Sequence, residues 1–155
     1  MASKILSDGQ SSRMYQKLVY ETGLALAAFG GGNIIEQPNL FFAVAIVQPG
    51  HTPAGVLQAL LGELDRMRDE PVSEHELQRA KNQFARDYIV ARETIQEKAA
   101  QLAHAVVIHD DIRTADSEFE IFQNTTAADI QRVAKTYFTP TNRLVLTIMP
   151  KVQTQ

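Results

Sequence analysis

The sequence predicts an α+β domain, a two-layer sandwich in which helices cover a mainly antiparallel sheet, and three observations carry that expectation. Two apolar stretches, Leu24–Phe29 (LALAAF) and Leu40–Val47 (LFFAVAIV), are close enough in sequence to pair as a hairpin. Long segments of helical period follow them. Strand, helix and strand do not alternate regularly, which argues against a doubly wound parallel sheet.

Taken in order, Gly9–Gly23 (GQSSRMYQKLVYETG) reads as a capped helix: Ser11 and Ser12 are candidate caps, Met14, Leu18 and Val19 recur near helical spacing, and Gly23 ends the pattern. Leu24–Phe29 should be a strand that breaks at the turn cluster Gly30-Gly31-Gly32-Asn33, and a long loop leads to the antiparallel strand Leu40–Val47, which ends at Gln48-Pro49-Gly50. Thr52 is the expected N-cap of a helix with Pro53 at its first position. Val56, Leu57, Leu60, Leu61, Leu64 and Met67 form its apolar stripe, and it should end near Asp69, before Pro71.

Ser73 and Glu76 form a capping box that opens the longest periodic segment, with Leu77, Ala80, Phe84, Tyr88, Ala91, Ile95, Ala99 and Leu102 three or four residues apart. A helix reaching Ile108 would be roughly 50 Å long, so the expectation is one curved helix or two in line with a bend. His109-Asp110-Asp111 should be a polar turn, Ser117–Phe122 a short helix, and Thr126 with Asp129 the cap of a last helix with Ile130, Val133 and Tyr137 facing inward up to Pro140. Arg143–Met149 (RLVLTIM) should be a closing strand. Three strands against four or five helices leave the sheet thin for the layer it must cover.

The 155 residues suffice for one domain whose core buries about two thirds of the unfolded surface. A net charge of −3 gives no field favouring nucleic acid or anionic lipid. The absence of cysteine removes disulfides, thiolate zinc sites and cysteine nucleophiles together, and leaves cytoplasm and periplasm equally open. The longest apolar run, Leu40–Val47, is far short of the ~20 residues of a membrane span, so the chain reads as soluble.

Candidate chemistry is sparse. His75-Glu76-Leu77-Gln78-Arg79 approaches the zinc helix H-E-x-x-H, but Arg79 replaces the second histidine and cannot ligate. His104 and His109, five apart, would point about 140° away from each other on a continuous helix. His109-Asp110-Asp111 reads as a solvated helix end, and His51 stands alone after Pro49-Gly50. Ser11 and Ser12 lie in G-Q-S-S-R, not in a G-x-S-x-G elbow. Gly30-Gly31-Gly32-Asn33 lacks the lysine and following helix of a phosphate loop. Arg13 is expected to be a structural donor to nearby carbonyls or carboxylates. No catalytic, substrate-binding or metal-ligating residue is assigned, and no cofactor is expected in this chain.

Four segments nevertheless resemble, in order, the pitrilysin and mitochondrial-processing-peptidase family of zinc metallopeptidases, the inverzincins: Asp8–Ala25, Phe41–Thr52, Val72–Phe84 and Thr125–Pro150. The resemblance implies a non-zinc domain. In that family each half has two similar α+β domains, and the first carries an inverted H-x-x-E-H motif, in which two histidines and a downstream glutamate hold zinc while the motif glutamate activates water. This sequence contains no H-x-x-E-H. An arginine and a tyrosine that the family supplies across its chamber, in L-R-x-x-x-G-L-x-Y, fall here on Leu18–Leu26 (LVYETGLAL), at Val19 and Leu26, both apolar. Arg13 and Tyr20 have the same spacing out of register with Gly23-Leu24.

The resemblance therefore implies a single domain over 1–155 from the C-terminal side of a peptidase half, lacking the first strand and helix of the family pattern. The function it implies is a non-catalytic domain of a zinc-dependent metalloendopeptidase, forming chamber wall and packing against the zinc-bearing domain or subunit while the parent cleaves peptides. The alternative is an inactive structural or assembly subunit of the same fold. Zinc would sit in the parent's other domain, and an exposed sheet edge would let the chain pair with itself as a homodimer.

Overall fold

The computed structural model describes residues 1–32 and 40–150. Helix α1 (Ala2–Leu6) comes first and drives Ile5 and Leu6 into complete burial. It is not anticipated from the sequence, because five residues are too few for a periodic pattern. Helix α2 (Arg13–Tyr15) continues directly into a π-helix over Gln16–Glu21, with Leu18 buried, and Gly23 ends the run at φ +62°. Ser12 does occupy the N-cap, but its hydroxyl makes no cap hydrogen bond.

Strands β1 (Ala25–Gly32) and β2 (Phe41–Val47) form a two-stranded antiparallel sheet. The expected break at Gly30 does not occur: Gly30, Gly31 and Gly32 pair with Ala43, Phe42 and Phe41. The reason is steric. A Cβ on Gly30 would lie 2.4 Å from the Phe42 carbonyl oxygen, so the glycine permits close strand approach instead of a turn. Asn33, and most of the loop expected between the strands, lie outside the described residues. A bulge between Ala25 and Ala27 re-phases β1, so that Leu26 and Phe29, three apart, both face outward while Ala25 and Ala28 are buried.

Helix α3 (Pro53–Asp69) begins as expected, with the Thr52 hydroxyl accepting from the Gly55 amide at 3.3 Å, and buries Val56, Leu60 and Met67. The long periodic segment is two helices, α4 (Glu74–Val90) and α5 (Ile95–His109). They are divided because Thr94 and Glu97 form a second capping box inside the apolar period. Helix α6 (Thr114–Asn124) is longer than the expected Ser117–Phe122, and α7 (Ala127–Tyr137) starts at the Thr126/Asp129 box. On α7 the inward positions are Ile130 and Ala134; Val133, about 100° around the axis from Ala134, is 38% exposed, and Tyr137, at the last turn of the helix, is 58% exposed, although both were expected inside.

The core gathers α1, α2, the π-helix, the inner face of the hairpin, α3, the start of α4 and α7. No residue of α5 or α6 belongs to it. Those two helices form an arm joined to α4 through the rings of Phe84, Tyr88, Phe119 and Phe122, the closest pair being Phe84 and Phe122 at 4.2 Å. The closing strand is absent. Arg143–Met149 follows α7 without strand structure, because no described residue supplies the ladder that a strand requires. The described sheet therefore has two strands where three were expected.

Candidate functional site

A polar cleft of about 210 Å³ lies where α2 and the π-helix face α3 and the first turn of α4. Arg13 forms its floor. Its Nε donates to Glu76 Oε1 at 2.6 Å and its Nη2 to Oε2 at 2.9 Å, a bidentate pair between residues 63 apart in sequence. The two side chains are 5% and 18% exposed. Glu76 also accepts from the Ser73 amide and hydroxyl at 3.0 and 2.9 Å. The Arg13 guanidinium, with the Ser73 donors adding to it against the opposing effect of burial, holds the Glu76 carboxyl down at about 2.

That geometry decides the near-miss zinc motif. Glu76 is committed to an arginine and to its own helix cap, Arg79 occupies the second ligand position, and His75 is exposed on the first turn of α4. These residues do not fit zinc, and a carboxylate held so far below neutral pH is a poor general base. Among the described residues no group of three or more histidines, cysteines, aspartates or glutamates could hold a metal ion.

Glu63 is the site residue that the sequence reading passed over. It is 5% exposed on the inner face of α3, with Arg66 Nη1 at 3.4 Å, and burial raises its carboxyl above the usual range despite Arg66 and Arg13 nearby. Its spacing gave a signal: Glu63 stands three after Leu60 and four before Met67, inside the apolar stripe. The pairing of Arg13 with Glu76 had no local signal at all.

The positions that the family comparison singles out do not converge on chemistry. Val19 is on the π-helix, partly buried against the core, while Leu26 is 54% exposed on the outer face of β1. Arg13 and Tyr20 are not brought together either. Tyr20 is exposed, its ring set edge-on to Tyr15 and its hydroxyl 3.4 Å from Gln10 Oε1, whereas Arg13 is buried against Glu76.

His104 and His109, by contrast, do meet. Their ring centroids are 6.0 Å apart, because α5 ends at His109 and both side chains lean into the groove between α5 and α6. In the same groove the Arg92 guanidinium lies 3.2 Å from the Tyr88 ring centroid and donates to the Ala115 carbonyl at 2.6 Å, tying the helix break to α6. Asp110 caps α5 at φ +53°, and Asp111 is bound by Arg113 at 2.7 Å.

Residues 1–84, more than half of the chain, match the sequence profile of the family described as the Peptidase M16 inactive domain. The chain is similar to the zinc protease PqqE of Helicobacter pylori, 24% identical over 148 residues. That match takes in 96% of the chain but only 33% of the relative, so the chain spans about a third of the length of the curated relative it matches. Two solved structures superpose closely. One is a candidate zinc protease from Bordetella pertussis, with a TM-score of 0.82 and 29% identity over 97% of this chain and 81% of that one. The other is the inactive peptidase domain of a candidate zinc protease from Bordetella parapertussis, with a TM-score of 0.84 and 28% identity over 98% and 82% of the two chains. With its fold shared by these proteins and its one motif-like glutamate locked in an arginine clamp, the chain belongs to the inactive-domain family of the M16 peptidases.

Proposed function

We propose that this chain serves as the non-catalytic domain of a zinc-dependent metallopeptidase, forming part of a chamber wall and packing against a zinc-bearing domain or subunit while the whole protein hydrolyses peptide bonds. The observation that carries the reading is the fate of Glu76. The only stretch that approaches a zinc helix spends its carboxylate on Arg13 and Ser73, in a structural network and not on a metal or water. The Helicobacter pylori relative named as a zinc protease, about three times as long as the matched segment, supports a neighbouring domain that holds the zinc. Exposed apolar side chains on the α5–α6 arm, Ile95, Val107 and Ile121, supply surface for such packing.

A second reading, an inactive assembly subunit, is favoured by the apolar pair Val19 and Leu26 where the resemblance calls for arginine and tyrosine. A peptide-cleavage assay separates them. This chain with added zinc should show no cleavage, and the same chain joined to or mixed with the zinc-bearing domain should show cleavage that a chelator abolishes. Absence of cleavage in both would support the assembly subunit. Chelator-sensitive cleavage by this chain alone would overturn both.

A further inference from the structure

Among the described residues the fold holds a strand-forming segment without a ladder and a sheet whose two strands each have one edge unpaired by a further strand. Leu144, Leu146 and Ile148 are 94%, 79% and 84% exposed, and residues 143–150 make no backbone hydrogen bond with the described residues. Among the described residues the sheet has two strands, which is marginal without further pairing. Its outer face presents Leu26, Phe29, Phe42, Val44 and Ile46 to solvent.

We propose that two copies of this chain exchange their Arg143–Met149 segments, each segment adding as a third strand to the free edge of β1 in the other copy. Three features favour that acceptor and that partner. First, the donor has seven residues and β1 eight, and β1 ends in three glycines that put no side chain in the way of an incoming backbone. Second, the donor emerges beside β2, not β1. Phe138 at the end of α7 packs on Phe41 of β2 with centroids 5.2 Å apart, and α7 lies on α3, which itself covers β2. The free edge of β1 is across the sheet, so a second copy reaches it without the donor crossing its own hairpin. Third, one donor and one acceptor per chain make the exchange reciprocal, which closes a two-fold dimer and leaves no end open for further addition.

Leu144, Leu146 and Ile148 fall on one face of the added strand, so each exchange gives a neighbouring strand to side chains that are 94%, 79% and 84% exposed in the single copy.

The test combines sedimentation with amide hydrogen exchange across a dilution series of this chain. The expected result is a dimer that dissociates on dilution, with amides of 144–149 and of β1 protected in the dimer and exposed in the monomer. Leu146→Pro and Thr147→Pro serve as variants. They are neighbours, so one of them removes a ladder donor in either register, and the exposure of the segment spares the monomer fold. At least one should be a monomer at every concentration with its helical signal unchanged. A chain that is monomeric throughout overturns the proposal, whether its 144–149 amides are bare or are protected at all dilutions by its own sheet. So does a dimer in which those amides exchange freely.

Discussion

Replacing Glu76 by glutamine removes a charge and little else, because glutamine keeps the side-chain length and can still complete the capping box with Ser73. The effect can be worked from the carboxyl, which lies at about 2 in place of its ordinary 4.5. At 1.36 kcal/mol per pKa unit that shift corresponds to ~3 kcal/mol, and screening of a side chain that retains 18% exposure reduces it to about 2 kcal/mol. The charge that remains on Arg13, only 5% exposed, adds a penalty for a buried cation without its partner, bringing the expected loss at pH 7 to about 2–4 kcal/mol. The sign follows from the depressed folded value. The stabilisation is fully present above about 4.5 and is lost as pH falls through the interval from there to about 2. Urea unfolding followed by circular dichroism at pH 7, 4 and 2 measures it. The gap between the native chain and Glu76→Gln should narrow steadily toward pH 2. A loss below about 0.5 kcal/mol at pH 7, or a gap that is the same at all three pH values, would refute the assignment of a charge-dependent clamp.

Four further substitutions test the capping and the packing. Ser12→Ala should leave stability unchanged or raise it by up to about 1 kcal/mol, because the fully buried Ser12 hydroxyl has no hydrogen-bond partner among the described residues, whereas Thr52→Ala should cost about 1 kcal/mol through loss of a working cap; urea midpoints of the two variants decide it. Gly30→Ala should cost about 2 kcal/mol or more in thermal or urea unfolding, because the new methyl group meets the Phe42 carbonyl at 2.4 Å and backbone must move. Met67→Ala, at a position with no solvent exposure, should cost about 2–5 kcal/mol, and a loss under 1 kcal/mol would mean that the α3 side of the core closes around the cavity.

Local chemistry made α3, α7 and the start of α4 legible, since each has a hydroxyl cap and an apolar period written within its own residues, and α3 and α7 also a clear end. The division between α4 and α5 was written there too, at Thr94 and Glu97, but an uninterrupted apolar period concealed it. Gly30–Gly32 read as a turn because glycine's freedom is a local property, while the need for it in β1 comes from the carbonyl of Phe42 twelve residues on. Arg143–Met149 shows the converse. A strand pattern is necessary but does not form a strand until a neighbour supplies hydrogen bonds. At the cleft, the refusal of the His75–Arg79 stretch to be a zinc helix was visible in Arg79 alone, but the identity of the group that claims Glu76 was not, because Arg13 arrives from 63 residues away. The meeting of His104 and His109 was misjudged from angle alone, since side chains at a helix end lean beyond the direction of their Cα atoms.

The arm formed by α5 and α6 has a consequence for how stability is read. Ala105 is the single fully buried residue on α5 and α6 has none, so roughly a sixth of the chain is anchored outside the central core by one aromatic cluster, the Arg92 tie and the hydrogen bonds of Tyr88 to the Ala115 carbonyl and of Gln123 to the Lys81 carbonyl. Opening that arm exposes little of what holds the remainder together, and its free energy is set by a few rings and hydrogen bonds and not by the central core. Unfolding then proceeds in two tiers: far-UV ellipticity, which weighs α5 and α6 heavily, should fall before a probe placed beside Met67 responds. A single melting temperature for this domain reports the tier in which its probe resides.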